Sequence, residues 1–413
     1  MSPNLSSTAP QSTDRGYPVP PSNEELRTRC SHAAAAAAAR GLAALVVWSR
    51  GGSNADAHGN VMYLTGHTTP VTHIVDIPGN TSRGYCAVLV GPGFSPILIT
   101  DAYDTDLQRV AVDDVRISNS VDSAVGSTIR ELGLETQRIG VVGGGSLLFS
   151  SFENIKDSAG DKVEWVVADD VLVGLRSIKS AAEMDILREA SRIGSEWALA
   201  MLEGAVPGRT EGQAVGAGLE YIAAAGGCPV DVAVASGPAA AKYRHHQAVP
   251  TWDFRRSLEV GDLFHLDVWG PVVHGYSCDI SRSTIVGGSP SATQLDALNF
   301  SIDLVESVIA EIHVGVELHD LYMHSKRWLN ERGGSSTKFA AAIPFIGHGL
   351  GLECEAPLIS EGQHKVVEPG MVFAIECFIG RDGLGSGFEQ VVAVHSSEVE
   401  MLTNAPTRPW ETM

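Results

Sequence analysis

Two stretches of the chain carry a carboxylate where a folded protein can least easily keep one. LFHLDVW, residues 263–269, alternates as a β-strand does, and Asp267 sits in it between Leu266 and Val268. VFAIECF, residues 372–378, holds Glu376 among Phe373, Ala374, Ile375 and Phe378. An ionised carboxylate in an apolar strand is costly unless it is paired or coordinated. Any fold of this chain therefore has to bring compensating charge to both points.

The surrounding sequence suggests where that compensation lies. Strand alternation puts His265, Asp267 and Trp269 on one face. A Gly-Pro turn at 270–271 leads into a second strand with Tyr276, Asp279 and Ile280, and the two strands predict a hairpin in which Asp267 and Asp279 converge. The alternative, two separately solvated turn aspartates, fits poorly with the apolar neighbours of Asp267. Carboxylates brought together repel unless a cation or a proton intervenes. His348 lies in IPFIGHGLGLECEAP, where flanking glycines permit a bend and a close backbone approach. Glu389 stands in GFEQVVAV, just ahead of an apolar strand. Asp267, Asp279, His348, Glu376 and Glu389 form a set of four carboxylates and one imidazole. That set suits two divalent ions of the manganese, iron, cobalt or zinc type. Two such ions placed together lower the pKa of a shared water and clamp reacting oxygens.

The chain has 413 residues, which suits two domains. Residues 1–22, rich in Pro and Ser, read as a flexible tail or arm without a secretory signal. From 23 to 172, strands and helices alternate as in an α/β domain. Helices are expected over Asn23 to Arg40, Asp104 to Val112, Ser120 to Leu132 and FENIKDSAG. Strands are expected at GLAALVVWS, NVMYLTG, YCAVLVGPG, PILITD and RIGVVGG. VVGGGS lacks the Lys-Ser/Thr and the spacing of a phosphate loop and reads as a strand-to-helix turn. From 173 to 413 the character changes. LRSIKSAAEMDILREASRIGSEWALAML predicts a long amphipathic helix with a Ser180/Glu183 capping box. A second capped helix follows VPGRTE, and later helices run from Leu295 to Ile312 and from Glu317 to Arg332.

Composition excludes some classes. With 49 acidic against 29 basic residues, the chain is a poor partner for nucleic acid. No apolar run is long enough to span a bilayer. The six cysteines form no CxxC pair, so reduced thiols in a cytoplasm are expected. Cys278 and Cys377 point away from the ligand positions and read as core.

The order of these motifs resembles the creatinase/aminopeptidase P/prolidase family. HLDVWG, CDISRS, GHGLG, AIEC and FEQV stand where that family places its metal-binding Asp, Asp, His, Glu and Glu. The resemblance begins at LRSIKSAAEMDILREA and VPGRTE, and NVMYLTG is similar to the entry of the family's N-terminal domain. It implies an α/β creatinase-like N-terminal domain and an α+β "pita-bread" catalytic domain binding two divalent metals and acting on a small molecule. It also implies a homodimer in which one N-terminal domain reaches toward the other subunit's site; the loop carrying His67, His73 and Asp76 reads either as such a lid or as a plain surface loop. SGPAAAKYRHH resembles the substrate-binding segment, with Tyr243, His245 and His246. Which of the two histidines points inward stays open, because the interval to Asp267 is longer than in the family. Trp269 also falls among the substrate-binding positions.

Two departures bear on the chemistry. Family peptidases carry a histidine shortly after the metal-binding one, which helps to hold the oxyanion. Here LECEAP is a residue shorter and has none. The Asp267–Asp279 interval is also a residue longer. Both features resemble a non-peptidase branch that includes the dimethylsulfoniopropionate lyase, where Cys354 replaces an aspartate base and Trp269 a further acidic ligand. The leading expectation is a hydrolase cleaving a C–N bond of a small amide or dipeptide-like substrate, outside ordinary peptidase chemistry. Glu376 or Glu355 would move the proton and His245 or His246 would steady the oxyanion. The alternative is a lyase using Glu353, Cys354 or Glu355 as base. A protein that only binds ranks last, since all five ligand residues are kept.

Overall fold

A computed structural model describes residues 17–52, 57–241, 250–332, 337–339, 344–381 and 384–412, with 337–339 and 381 described by backbone alone. The first half runs α1 (Asn23–Ala39), β1 (Ala44–Arg50), α2 (Gly59–Thr65), β2 (Tyr85–Gly91), β3 (Phe94–Thr100), β4 (Asp114–Ile117), α3 (Val121–Glu131), β5 (Arg138–Val142), α4 (Phe149–Ala159), β6 (Glu164–Val167) and α5 (Asp169–Arg176). Its six strands form one sheet in the order β4-β3-β2-β1-β5-β6. The pairs β1–β2 and β2–β3 are antiparallel, and the pairs β1–β5 and β5–β6 are parallel. Buried Val, Leu and Ala of β1 and β2 pack both faces of this sheet. A three-residue helical turn, 144–146, joins β5 to α4, so VVGGGS is the expected strand-to-helix turn.

The second half opens with α6 (Ala181–Gly204) and α7 (Glu211–Ala224), both started by capping boxes, Ser180/Glu183 and Thr210/Gln213. Next come β7 (Asp231–Ser236), β8 (Leu263–Val273), β9 (Tyr276–Ile285), α8 (Ala292–Ala310), α9 (Leu318–Arg332), β10 (Thr337–Phe339), β11 (Phe345–Leu350), β12 (Cys354–Ser360), β13 (Val372–Arg381), β14 (Leu384–Val394) and β15 (Val399–Met401). Strands β7-β8-β9 make one sheet. Strands β12-β11-β13-β14-β15 make another, with β10 added on β13. Helix α6 lies against β8 and β9, α8 against β13 and β14, and β9 against β14, so the two sheets face each other.

Four local expectations are corrected. NVMYLTG is not a strand but α2, closed by Gly66 at φ +74, whose N–H bonds to the Met62 carbonyl. A short apolar run does not separate strand from buried helix. The helix expected over 104–112 shrinks to a turn at Leu107–Arg109, because the Asp106 side chain accepts the Gln108 N–H. Leu175 and Arg176 belong to the end of α5 and not to the long helix, which starts at Ala181 behind the expected Ser180/Glu183 capping box. Finally, β8 continues through Gly270-Pro271 with a register shift, and the chain reverses at His274 (φ +48) and Gly275 (φ +86). Two consecutive positive φ values are what a tight two-residue hairpin turn needs.

Candidate metal centre

Cross-strand register explains how the aspartates meet. Trp269 pairs with Asp279 on β9 and with Asp231 on β7, while Asp267 pairs with Ser281 and Ala233. Directly paired residues share a sheet face. Asp231, Trp269 and Asp279 therefore form one row, and Asp267 stands in the next, diagonal to Asp279. On the opposing sheet Glu376 pairs directly with Glu389, and His348 pairs with Ala374, two residues before Glu376. All five predicted ligands thus project into the space between the sheets.

The distances close the cluster. His348 Nε2 lies 3.7 Å from Asp279 Oδ2 and 3.6 Å from Glu376 Oε1. Asp279, His348 and Glu389 each offer a ligand atom, all within 4.8 Å of one another. His348 Nδ1 is 2.9 Å from the Gly349 carbonyl, which can only accept, so the ring donates there. That fixes the tautomer and turns the Nε2 lone pair toward the carboxylates.

The electrostatics are those of acids gathered without a counter-charge. Burial, then the neighbouring Glu376 and Asp231, drives Asp267 well above the usual carboxylate range. Burial, then Asp267 and Glu376, does the same to Asp279, and burial followed by Asp279 raises Glu389 likewise. Glu376 is raised by burial, against the pull of His348. Glu389 is 1% exposed, and neither of its carboxylate oxygens has a hydrogen-bond partner among the described residues. Buried oxygens left this way are rare and call for a ligand. A hard or borderline divalent cation supplies what this donor set lacks.

Behind the cluster the sheets close on a residue with no side chain. A Cβ on Gly387 would meet His265 Cε1 at 2.1 Å and Ser281 Oγ at 2.6 Å. His265 stacks at 4.9 Å on Phe378, and burial lowers its pKa to about 3, so it stays neutral. Ser283 Oγ donates to the Gly387 carbonyl and accepts its N–H. Arg282, fully buried, stitches the same seam: Nη1 donates to the carbonyls of Ser281 and Glu389, Nη2 to Gln390 Oε1.

Residues 185–396 match the family model for metallopeptidase family M24. The Xaa-Pro dipeptidase of Pyrococcus furiosus is 30% identical over 67% of this chain and 76% of its own length.

The chain belongs to metallopeptidase family M24.

Among solved structures, dipeptidase PepE from Mycobacterium ulcerans superposes with a TM-score of 0.75 at 24% identity, covering 94% of this chain and 98% of its own. The Xaa-Pro dipeptidase from Bacillus anthracis gives 0.74 at 23% identity, covering 92% and 98%. The fold is thus the pita-bread fold with an N-terminal creatinase-type domain. M24 enzymes are metal-dependent hydrolases that use two divalent ions, and the cluster above has the donors to hold them. These relatives lend no support to the lyase branch.

The remaining expected site residues scatter. Tyr243, His245 and His246 lie outside the described residues. Trp269 stands beside Asp279, its indole N–H donating to Ser277 Oγ at 2.9 Å. Cys354 pairs with Leu350, two residues beyond His348 on β11, so it shares the ligand face. Glu355 pairs with Gly349 and points the other way, into a salt-bridge network: Oε1 accepts from Arg176 at 2.7 Å, Oε2 from Lys179 at 3.1 Å. Against the cost of burial, Arg176 and Lys179 hold its pKa down at about 2, so the carboxylate is committed to this ion pair. His67 sits apart from the five ligands of its own chain. It is buried, with Nε2 bonded to Thr100 Oγ1 at 3.0 Å, and lines a 650 Å³ cavity that includes none of the five ligands.

Sequence reasoning missed Arg176, Lys179, Arg282 and Asp231. Arg282 carried a readable signal, a cation in the apolar run CDISRSTIV beside a ligand aspartate. The partners of Arg176 lie far along the chain, and no local pattern marks them.

Proposed function

We propose that this M24 chain is a di-metal hydrolase that cleaves the amide C–N bond of a small dipeptide-like substrate, with Xaa-Pro dipeptides as the first class to test. The observation that carries the reading is that Asp279, His348 and Glu389 offer ligand atoms within 4.8 Å of one another, with Glu376 3.6 Å from His348, while the oxygens of Glu389 have no hydrogen-bond partner among the described residues. Bound there, two divalent ions would acidify water and polarise the scissile carbonyl. Manganese, iron, cobalt or zinc each suits the donors.

The chain's own residues divide the remaining work. Glu376, raised by burial and 3.6 Å from His348, takes a proton from the attacking water and returns it to the leaving amine. His245 or His246 steadies the oxyanion, Tyr243 lies in the same substrate-binding strip, and Trp269 walls the substrate beside Asp279. Cys354 takes the place of the absent histidine. Its thiol is pushed up to about 12, by burial and then by Asp279 and Glu376, so it acts as an S–H donor and not as a base.

The working unit we propose is a homodimer. Ile74, Val75 and Ile77 are 50%, 84% and 58% exposed on one loop of the N-terminal domain, a surface suited to a second copy. A cytoplasmic site of action fits six cysteines that are all free. The test is metal analysis followed by turnover of Xaa-Pro dipeptides, small cyclic amides, and sulfonium and hydroxy acids after loading with each metal. Release of a free amine is expected. Formation of an unsaturated product, or no retained divalent ion, overturns the reading.

A further inference from the structure

We infer that residues 58–60, in the N-terminal domain, set the spacing of the two hairpins that carry the metal ligands, with His58 as a positioning residue of the centre. The inference rests on the metal-centre reading above and adds a role for a domain that supplies none of the five ligands.

Three consecutive residues make the connection, each by a different contact. His58 is 5% exposed, and its Nε2 lies 2.9 Å from the Gly275 carbonyl at the turn of the β8–β9 hairpin. That carbonyl can only accept, so the ring donates. The N–H of Gly59 donates to Glu353 Oε1 at 2.9 Å, in the turn joining β11 to β12. Asn60 Oδ1 accepts from Arg176 Nη1 at 2.7 Å, and Arg176 Nη2 donates to Glu353 and Glu355 on that second hairpin. One end of α2 thus holds both hairpin tips.

The contacts leave no slack. A Cβ on Gly275 would sit 2.4 Å from Met62 Sδ, so α2 presses directly on the first turn. A Cβ on Gly59 would sit 2.7 Å from Arg176 Nη2 and 2.9 Å from Glu353 Oε2, so the backbone is close on the other side as well. The tips also touch each other, through the Ser277 N–H and the Gly351 carbonyl at 2.9 Å. His274 Nε2 donates to the Pro18 carbonyl at 3.0 Å, adding a second strut from the N-terminal side.

The ligands lie close behind these tips. Asp279 is four residues beyond Gly275, and His348 is five residues before Glu353. Their facing atoms are the 3.7 Å pair of the centre. Both stretches stay hydrogen-bonded to neighbouring strands, with a register shift beside His348, so a shift of either tip changes the gap between imidazole and carboxylate. Groups that orient first ligands in this way typically change metal affinity by about 10–100-fold when removed.

The test uses the full chain and two variants. His58→Leu keeps an apolar group of similar bulk and removes the donor, and His58→Gln keeps an N–H at nearly the same reach. Chelated protein is titrated with Mn(II) by calorimetry and with Co(II) by its visible d–d spectrum. Expected for His58→Leu is a dissociation constant weaker by about 10–100-fold, an altered cobalt spectrum, and substantial recovery of both in His58→Gln. A folded His58→Leu with wild-type affinity and spectrum overturns the inference. Wild type that binds no divalent ion defeats the metal-centre reading itself, a separate outcome. If His58→Leu does not fold, hydrogen exchange of wild type decides. Mn(II) should slow exchange at residues 57–62 together with 274–280, and protection confined to the catalytic domain overturns the inference.

Discussion

Glu376 and Glu389 are direct cross-strand partners on β13 and β14, two acids side by side, and neither oxygen of Glu389 has a hydrogen-bond partner among the described residues. Like charges placed opposite each other in a sheet are destabilising. The metal-free protein therefore stores a repulsion that ion binding relieves. Glu389→Gln is expected to stabilise the chelated protein while abolishing its response to metal. Wild type should gain about 2.7 kcal/mol at roughly 100 times the ion's dissociation constant. Thermal unfolding of both proteins, with and without Mn(II) after chelation, checks the crossing. Activity of the variant should fall by at least about 10²-fold.

Gly387 tests how closely the sheets must approach. The methyl of Gly387→Ala would collide with His265 Cε1, which is packed between Phe378 and Ser283 and has nowhere to retreat. Overpacking of this kind costs about 1–3 kcal/mol. The loss should appear in denaturant midpoints, and bound Mn(II) per chain should fall below wild type, because the wedge parts Asp267 from Glu389. Full metal content in the alanine variant would show that the seam has room to spare.

Glu355 gives a pH-dependent prediction with a definite sign. Its folded pKa, about 2, lies below the ordinary value of 4.5, so the folded state binds its proton more weakly than the unfolded state does. The stability it contributes is present above pH 4.5 and is lost as pH falls toward 2. Glu355→Gln leaves Arg176 and Lys179 without their shared acid and should cost about 3–5 kcal/mol at neutral pH. The gap between variant and wild type should narrow steadily from pH 4.5 down to about 2. Urea unfolding across that range measures it, and a gap independent of pH would remove Glu355 from the buried ion pair.

Much of the centre was legible because burying an acid leaves a mark in sequence. Asp267 and Glu376 stand in apolar strands, and that local conflict pointed to a shared counter-charge. The hairpin was expected for the right reason but with the wrong turn. Gly-Pro at 270–271 looks like punctuation, whereas the reversal falls at His274-Gly275, and a non-glycine at positive φ carries little sequence signal. NVMYLTG misled because its apolar residues serve a short helix as well as a strand. Glu355 misled because strand alternation says only that Cys354 and Glu355 point to opposite faces of β12; which of them shares the His348 face depends on the pairing of Cys354 with Leu350, a tertiary property. The clamp from residues 58–60 joins groups 116 to 294 positions apart, and nothing local announces it.

Cys354 separates a donor from a base. It shares the face of His348, within reach of the charges on Asp279 and Glu376, and its thiol is pushed up to about 12. In chelated protein, alkylation by iodoacetamide should be slow at neutral pH despite the exposure of the residue, because only the thiolate reacts. The rate should climb about tenfold per pH unit from 7 to 10, with no plateau, as expected when the reactive fraction is small throughout. Mass spectrometry of the peptide containing Cys354 follows it, with the buried Cys278 and Cys377 as unreactive internal controls. A rate that levels near pH 7 would reveal an activated thiolate and return Cys354 to the role of base. In turnover, Cys354→Ser keeps a donor of similar reach and should retain activity within about tenfold, whereas Cys354→Ala should lose about 10²-fold in kcat with KM little changed, the pattern of a contact made mainly in the transition state.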